Sequence, residues 1–521
     1  MATPKDYFFS SYLSDCLDGL DQKIETSNFL LYQPVIRADD FFKFYSRLKN
    51  FISDSPLENR LIINSSGLIQ KIADFLGVGF FIQPGSDNKP DELEKFLYPL
   101  FLVSILKEKE IIENFFRFSN FSDEPKLFIY GAKVKSPSHF SIYGSGASLN
   151  KEKAVWSSIG EAVERYCLAH YKKSDFLKTS YNKLKNSAFN PNNIVAFSVD
   201  QKKQENFQLF NFDENSLFYW VKGYSLTRER SVYVPAQLSY FWKYEDNEPI
   251  IRYYVTTGAS SSQQPLKEAI YRGICETIER DAFMIFYLNR LPPPRMNLAV
   301  IKDDDIQKIL ANFERYNLEL HLLEITTDIP VPVFLAAIID RTGIGPAVVI
   351  GAKASLDVKE GALGAIEEAW SSRINIRKQM ASHLEFFGPT PPPVIGREDR
   401  LLFWARQEMI TKIDFFLRGK TKNQLPDQLE ISTDTIDRKI DWLVTKIKEK
   451  GEEIIYVDIS SAEIKRIGFS AVQVIIPGLQ PLYLDERYPY LGGKRLRDVP
   501  VILGYKDKPD ENFNPIPHPF P

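Results

Sequence analysis

Through much of the first 125 residues apolar positions fall at helical spacing, as in Asp40–Leu48 and Glu92–Leu106, and predict helices in a Phe- and Leu-rich region without a chemical motif. The stretch Phe118–Pro125, rich in Ser, Asn and Asp and holding a proline, predicts a boundary. From Leu127 the texture changes to short apolar runs alternating with helices, the rhythm of mixed α/β architecture. Val331–Ile339 predicts a buried strand and Ile454–Ile459 another, while Leu209–Val234 and Leu318–Ile350 are strand-rich. The expected organisation is an N-terminal domain over residues 1–125, serving docking or dimerisation, and an α/β domain over residues 126–521 built from repeated strand-turn-helix units.

The repeat centres on one stretch. Ser157-Ser158-Ile159-Gly160-Glu161-Ala162-Val163-Glu164-Arg165-Tyr166 returns as Arg272-Gly273-Ile274-Cys275-Glu276-Thr277-Ile278-Glu279-Arg280-Asp281, and both copies read E-x-x-E-R. Positions i, i+3 and i+4 share a helix face, so each copy sets two carboxylates beside a guanidinium. Read alone, such a face is a solvated run of ion pairs. Here it occurs twice in register, on helices that Ile159, Val163, Ile274 and Ile278 make apolar enough to bury, each after a Gly-Ala-Ser turn, Gly146-Ala147-Ser148 or Gly258-Ala259-Ser260. A third, weaker copy starts at Gly351-Ala352-Lys353-Ala354-Ser355, and its helix, Leu363–Arg373, places Glu368 in register with Glu161 and Glu276, with Ser371 and Ser372 in place of the second Glu and the Arg. Carboxylates gathered this closely repel one another and persist when divalent cations and a polyphosphate neutralise them, which predicts a magnesium nucleotide site.

Composition narrows the class. With 521 residues, 44% hydrophobic, 26% charged and a net charge of −3, the chain reads as an ordinary globular protein and not as an electrostatic binder of nucleic acid or membrane surfaces. The N-terminus lacks a secretion-signal pattern, and apolar runs such as Leu97–Leu106 reach about half the length of a membrane span. Cys16, Cys167 and Cys275 have no metal-type spacing, so a reducing cytoplasm is expected, with Cys167 and Cys275 as small buried hydrophobes. His139, His170, His321 and His383 have no ligand-like spacing.

The repeated motif resembles the paired ATP-binding motifs of the YcaO family, and Glu368 with Arg373 resembles the family's third motif. Pro477-Gly478-Leu479-Gln480-Pro481-Leu482, Leu491-Gly492-Gly493-Lys494-Arg495-Leu496 and the Pro-rich end resemble the azoline-forming cyclodehydratases of thiazole/oxazole-modified peptide biosynthesis, the bacteriocin-type pathways. The likeness runs from about Leu127 to Pro521. It implies a YcaO-type fold and ATP-dependent cyclodehydration of Cys, Ser or Thr in a ribosomal precursor peptide. The side chain attacks the preceding amide carbonyl, ATP phosphorylates the resulting oxygen, and phosphate leaves as the thiazoline or oxazoline forms.

Residue by residue, the resemblance implies that Glu161, Glu164, Glu268, Glu276 and Glu279 hold Mg²⁺, that Arg165, Arg280 and Arg373 neutralise phosphate, and that Ser157, Ser261 and Glu368 contact the nucleotide. Without it, Ser157 reads as a helix hydroxyl bonded to its own backbone and Glu268 as a solvated acid at a helix start. The terminal Pro515-Ile516-Pro517-His518-Pro519-Phe520-Pro521 would deliver its carboxylate, on Pro521, as a catalytic base, with His518 as a second candidate. The chain departs from the family pattern at Gly144-Ser145-Gly146, where Gly-Lys-Gly is common, and at Ser371 and Gln264, where Gln and Asn are usual. Expected partners are the precursor peptide, a separate ThiF-like leader-binding protein and a second copy in a homodimer. The competing readings are thioamide or amidine formation on a peptide backbone, and a peptide-binding scaffold without catalysis.

Overall fold

The structure, a computed structural model, describes residues 33–34, 99, 102–103 and 105–521, apart from 138–140, 245–247, 254–256 and 264–265. The helix expected over Asp40–Leu48, Cys16, His139 and Gln264 lie outside the described residues, and the expected N-terminal domain falls largely outside them. The chain divides into two compact units, one of residues 1–120 and 128–165, the other of residues 121–127 and 166–521.

Among its described residues the first unit holds a four-stranded antiparallel sheet in the order β1 (Gln33–Pro34), β2 (Ile112–Arg117), β3 (Phe128–Val134), β4 (Ile142–Ser148). Helix α1, Lys151–Ala169, follows β4, with its last turn counted in the second unit. Asn150 starts it, its Oδ1 accepting from Lys153 N at 3.0 Å. The helix lies so close to β4 that a Cβ on Gly146 would stand 2.1 Å from the Ala154 carbonyl oxygen, and one on Gly144 would stand 2.3 Å from Ala162 N. Buried Ile159, Ala162 and Val163 fill the contact.

The second unit contains two sheets. One runs β12 (Val348–Ala354), β11 (Val333–Asp340), β10 (Leu318–Glu324), β9 (Arg295–Met296), β13 (Thr421–Lys422). The other runs β5 (Leu177–Ser180), β6 (Leu217–Ser225), β14 (Ile455–Asp458), β15 (Ser470–Ile475), β8 (Ala259–Ser262), with β7 (Arg230–Pro235) on β6. The apolar runs at 331–339 and 454–459 are thus β11 and β14, and every residue of β11 is buried, as a strand covered on both faces requires.

Helix α2, Leu266–Leu288, packs on β15 and β8 of one sheet and on β12 of the other. Its C-terminal half, from Ala282 to Leu288, is wholly buried. Helix α3, Val358–Met380, packs on β12 and β11. It starts earlier than its apolar pattern predicts because Asp357 caps it, accepting from Glu360 N at 2.9 Å. Cys167 and Cys275 are both buried.

Candidate functional site

Three strands carry the sequence repeat, and each is the edge strand of a different sheet: β4, β8 and β12. An edge strand has a row of amides that no neighbouring strand receives. In the first and third copies the motif glutamate takes one, and in the second it takes the amide of Gly258, immediately before β8. Glu161 Oε2 accepts from Ser145 N at 2.7 Å, Glu276 Oε2 from Gly258 N at 2.9 Å, and Glu368 Oε2 from Ala352 N at 2.8 Å. The aligned glutamates therefore have one local geometry, set by a glycine-bearing strand held against its own helix. Gly258 stands at φ +87°, and a Cβ there would lie 2.2 Å from the Val474 carbonyl oxygen. A Cβ on Gly351 would lie 2.3 Å from Ala369 N.

The arginines repeat as well. In the first unit Arg165 pairs with Glu161 at 3.0 Å and with Glu164 at 2.9 Å. In the second unit Arg280 reaches Glu276 at 3.2 Å and Glu279 at 3.5 Å. Ser157 is an exposed residue of α1, Ser261 is buried on β8, and Glu268 is a half-buried acid in the first turn of α2.

Within the second unit the structure brings Glu276, Glu279, Arg280 and Glu368 together. Glu279 crosses to the third repeat, its Oε2 accepting from Ala354 N at 3.1 Å. Burial pushes the Glu279 carboxyl up to about 8; Arg280 opposes this, and repulsion from Glu368 adds to it. Burial raises Glu368 too. Burial works against the charge on Arg280, but Glu279, Glu276 and Glu368 outweigh it and hold the guanidinium above its ordinary range. Sequence reasoning missed Lys353, which faces Glu279 and Glu368 and whose charge their carboxylates favour against burial.

Arg373 is placed otherwise than expected. It is buried and committed to other partners, donating from Nε and Nη2 to Glu124 at 2.8 and 2.9 Å, from Nη2 to Asp340 at 2.7 Å and from Nη1 to the Pro346 carbonyl at 3.0 Å. A guanidinium already committed to two carboxylates has no fork left for a phosphate. Its work is to anchor residues 121–127, which hold Glu124, against α3.

The C-terminal run docks on α2. Tyr287 Oη donates to the Ile516 and Pro517 carbonyls, both at 3.0 Å, Trp404 Nε1 to the Pro517 carbonyl at 2.7 Å, and Arg400 Nη2 to the Phe520 carbonyl at 3.1 Å. Phe520 is fully buried with its ring under the Arg280 guanidinium, 4.0 Å from centroid to Cζ, and Pro521 is half-buried. His518 is fully buried, with Nε2 2.9 Å from the Tyr483 carbonyl. Burial, with Arg400 and Arg280 nearby, takes its pKa well below the ordinary range, so the ring stays neutral. That is a packing role rather than the proton-transfer role considered for it.

A family profile described as YcaO cyclodehydratase, ATP- and Mg²⁺-binding, matches residues 145–480. The chain belongs to the YcaO family. An uncharacterized protein of Methanothermobacter thermautotrophicus is 26% identical over 68% of this chain and 85% of its own. A second, in the tfuA 3′ region of Rhizobium leguminosarum bv. trifolii, is 28% identical over 55% of this chain and 65% of its own. Among solved YcaO-type structures, a heterocyclase in complex with substrate and cofactor superposes with TM-score 0.65 at 22% identity, covering 80% of this chain and 57% of that one. The heterocyclase TruD gives 0.56 at 22%, covering 70% of this chain and 50% of that one. YcaO from Methanopyrus kandleri bound with AMPPCP and Mg²⁺ gives 0.54 at 17%, covering 74% and 91%. At these identities the structural likeness establishes the shared α/β fold. The chain spans 57% and 50% of the two heterocyclase chains.

The residues present fit Mg²⁺ and a nucleotide. The donors are hard carboxylate oxygens, and burial pushes the nearby Cys275 thiol up to about 12, which leaves it unsuited to a soft metal. Glu279 is an acid that a divalent cation would relieve. Arg280 Nη1 is buried with no hydrogen-bond partner among the described residues. Among those residues no group of three or more His, Cys, Asp or Glu is placed to hold a metal ion by itself. Mg²⁺ needs no such cage, since it keeps waters and shares phosphate oxygens.

Proposed function

We propose that this YcaO protein is an azoline-forming cyclodehydratase acting on Cys, Ser or Thr of a ribosomal precursor peptide. The observation that supports this most is the docking of the Pro-rich run against α2, with Phe520 on Arg280. Placing that run beside a nucleotide-motif arginine suits a site in which carbonyl attack and oxygen phosphorylation happen together.

In this reading Glu161, Glu164, Glu268, Glu276 and Glu279 bind Mg²⁺, which when bound neutralises and orients the phosphates. Arg165 and Arg280 neutralise phosphate charge, Ser157, Ser261 and Glu368 contact the nucleotide, and Arg373 acts indirectly by fixing α3. The substrate's thiol or hydroxyl attacks the preceding amide carbon, and its proton passes to the Pro521 carboxylate. The carbonyl oxygen, now on a tetrahedral carbon, takes the γ-phosphoryl group. Loss of phosphate and of the amide proton closes the C=N bond of the ring, leaving ADP and phosphate. A separate ThiF-like protein presents the peptide leader, the working form is a homodimer, and the compartment is the cytoplasm.

The test is mass spectrometry of leader-bearing precursor peptide incubated with the chain, its partner and ATP. Loss of one water per ring, abolished by residues appended after Pro521, is the expected result. Exchange of oxygen for sulfur, or an unmodified mass with the ATPase intact, would overturn it.

A further inference from the structure

The third repeat lacks the arginine of the other two, yet β12 brings a cation to the carboxylates by another route. Lys353 lies between Ala352 and Ala354, whose amides hold Glu368 and Glu279 respectively. Its stem runs over α3 at Gly364, where a Cβ would come within 2.9 Å of Lys353 Cγ and 3.5 Å of Cδ. Gly364 precedes Glu368 by four residues, as Ser157 precedes Glu161, and Lys353 aligns with Gly146 on the strand. The first repeat thus pairs a strand glycine with a helix serine, and the third a strand lysine with a helix glycine. Bulk has moved from helix to strand, and it arrives with a charge. The ammonium makes no hydrogen bond or ion pair to any described residue, although Glu279 and Glu368 face it; Glu360 and Cys275 also lie in its surroundings. Its donors are therefore open to an incoming anion.

We propose that Lys353 binds the terminal phosphates of ATP, doing for the third repeat what Arg165 and Arg280 do for the first and second. This rests on the nucleotide site proposed above. A lysine suits this place better than an arginine, because a slender stem fits over Gly364 and a compact ammonium meets phosphate as a point charge.

Calorimetric titration of the full chain with Mg²⁺ and a non-hydrolysable ATP analogue, and separately with AMP, tests it. Lys353→Met keeps the stem and removes the charge; it should weaken the triphosphate analogue about tenfold, the effect of losing one charge-assisted contact, with AMP affinity unmoved. Lys353→Arg should recover part of the loss. Gly364→Ala, which displaces the stem and leaves the charge, should also weaken the triphosphate selectively, and it decides the matter should Lys353→Met fail to fold. Wild-type triphosphate binding with unchanged affinity in these variants would overturn the role of Lys353 alone. A wild-type chain that binds neither nucleotide would overturn the nucleotide site and this assignment with it.

Discussion

Arg495 grips Asp281 through two parallel hydrogen bonds, Nε to Oδ1 at 2.9 Å and Nη2 to Oδ2 at 2.8 Å. Asp281 directly follows Arg280 on α2 and is fully buried, and it also accepts from Gln480 N at 2.8 Å. Arg495 reaches on to Asp328 at 2.7 Å. Two short motifs that the sequence places far apart, the E-x-x-E-R-D run and the Gly-Gly-Lys-Arg run, are thereby one buried ion network under the candidate site.

Removing the cation from that network leaves the fully buried Asp281 without its ion-pair partner, while Asp328 keeps Lys450 at 3.2 Å. Arg495→Met should therefore destabilise the fold by about 3–5 kcal/mol, the usual result of breaking one side of a buried pair. Urea denaturation followed by circular dichroism measures it; a loss below about 1 kcal/mol, the scale of a surface change, contradicts the network's role.

Gly351→Ala should be damaging although it adds a single methyl. The new Cβ meets Ala369 N at 2.3 Å, a backbone atom that cannot turn aside. Strand and helix must separate, which costs about 1–3 kcal/mol by the usual scale of overpacking and moves Glu368 off the Ala352 amide. A lowered melting temperature together with weakened nucleotide binding is expected. Gly343→Ala is the control: it has open space at the Cβ, so its cost comes from backbone strain at φ +78° alone, and nucleotide binding should be unmoved.

The repeat was legible because its chemistry is local. Glu161, Glu276 and Glu368 stand in register on helices, and each helix follows a small-residue strand close by in sequence, so spacing alone located the shared carboxylate position. That this carboxylate accepts from a backbone amide at the strand follows from β4, β8 and β12 being sheet edges, which is a property of topology. Arg373 was misread for the same kind of reason. Its motif position is apt for a phosphate, but its partner Glu124 lies 249 residues away and nothing local announces it. Lys353 was passed over because a lysine on an apolar strand looks ordinary until Gly364 and the two glutamates are seen around it. His518 was legible as an ionisable group, and only its burial decides that it stays neutral.

Glu279 should make the metal-free protein lose stability as pH rises. Its carboxyl is raised from the ordinary 4.5 to about 8, so the folded state holds its proton where the unfolded state has released it. The penalty is absent below about pH 4.5 and grows until the folded group ionises near 8. Glu279→Gln, which keeps the neutral shape, should flatten that decline in denaturant midpoints measured in EDTA across the interval, while abolishing Mg²⁺-dependent ATP hydrolysis. Parallel pH profiles for the two proteins would refute the assignment.

His518 supplies the sharpest separation between packing and catalysis in the docked C-terminal run. Its ring sits among Phe283, Tyr287 and Tyr483, Nε2 serves the Tyr483 carbonyl, and burial, with the nearby cations adding to it, holds it unprotonated. A group that is neutral throughout the working range neither collects nor returns a proton there. His518→Gln preserves an amide N–H for the Tyr483 carbonyl, so it should cost stability through lost ring packing and leave the neutral limb of the proposed cyclisation's pH–rate curve where it was. A general acid or base removed from this position would instead lower kcat by about 10²–10⁴ and shift that limb. The contrasting variant is Phe520→Leu, which keeps apolar bulk but removes the aromatic face under Arg280. It should loosen the run next to Arg280 and reduce cyclisation more than His518→Gln does. Equal kcat losses in the two variants would show that docking alone, and not the Arg280 contact, governs the rate.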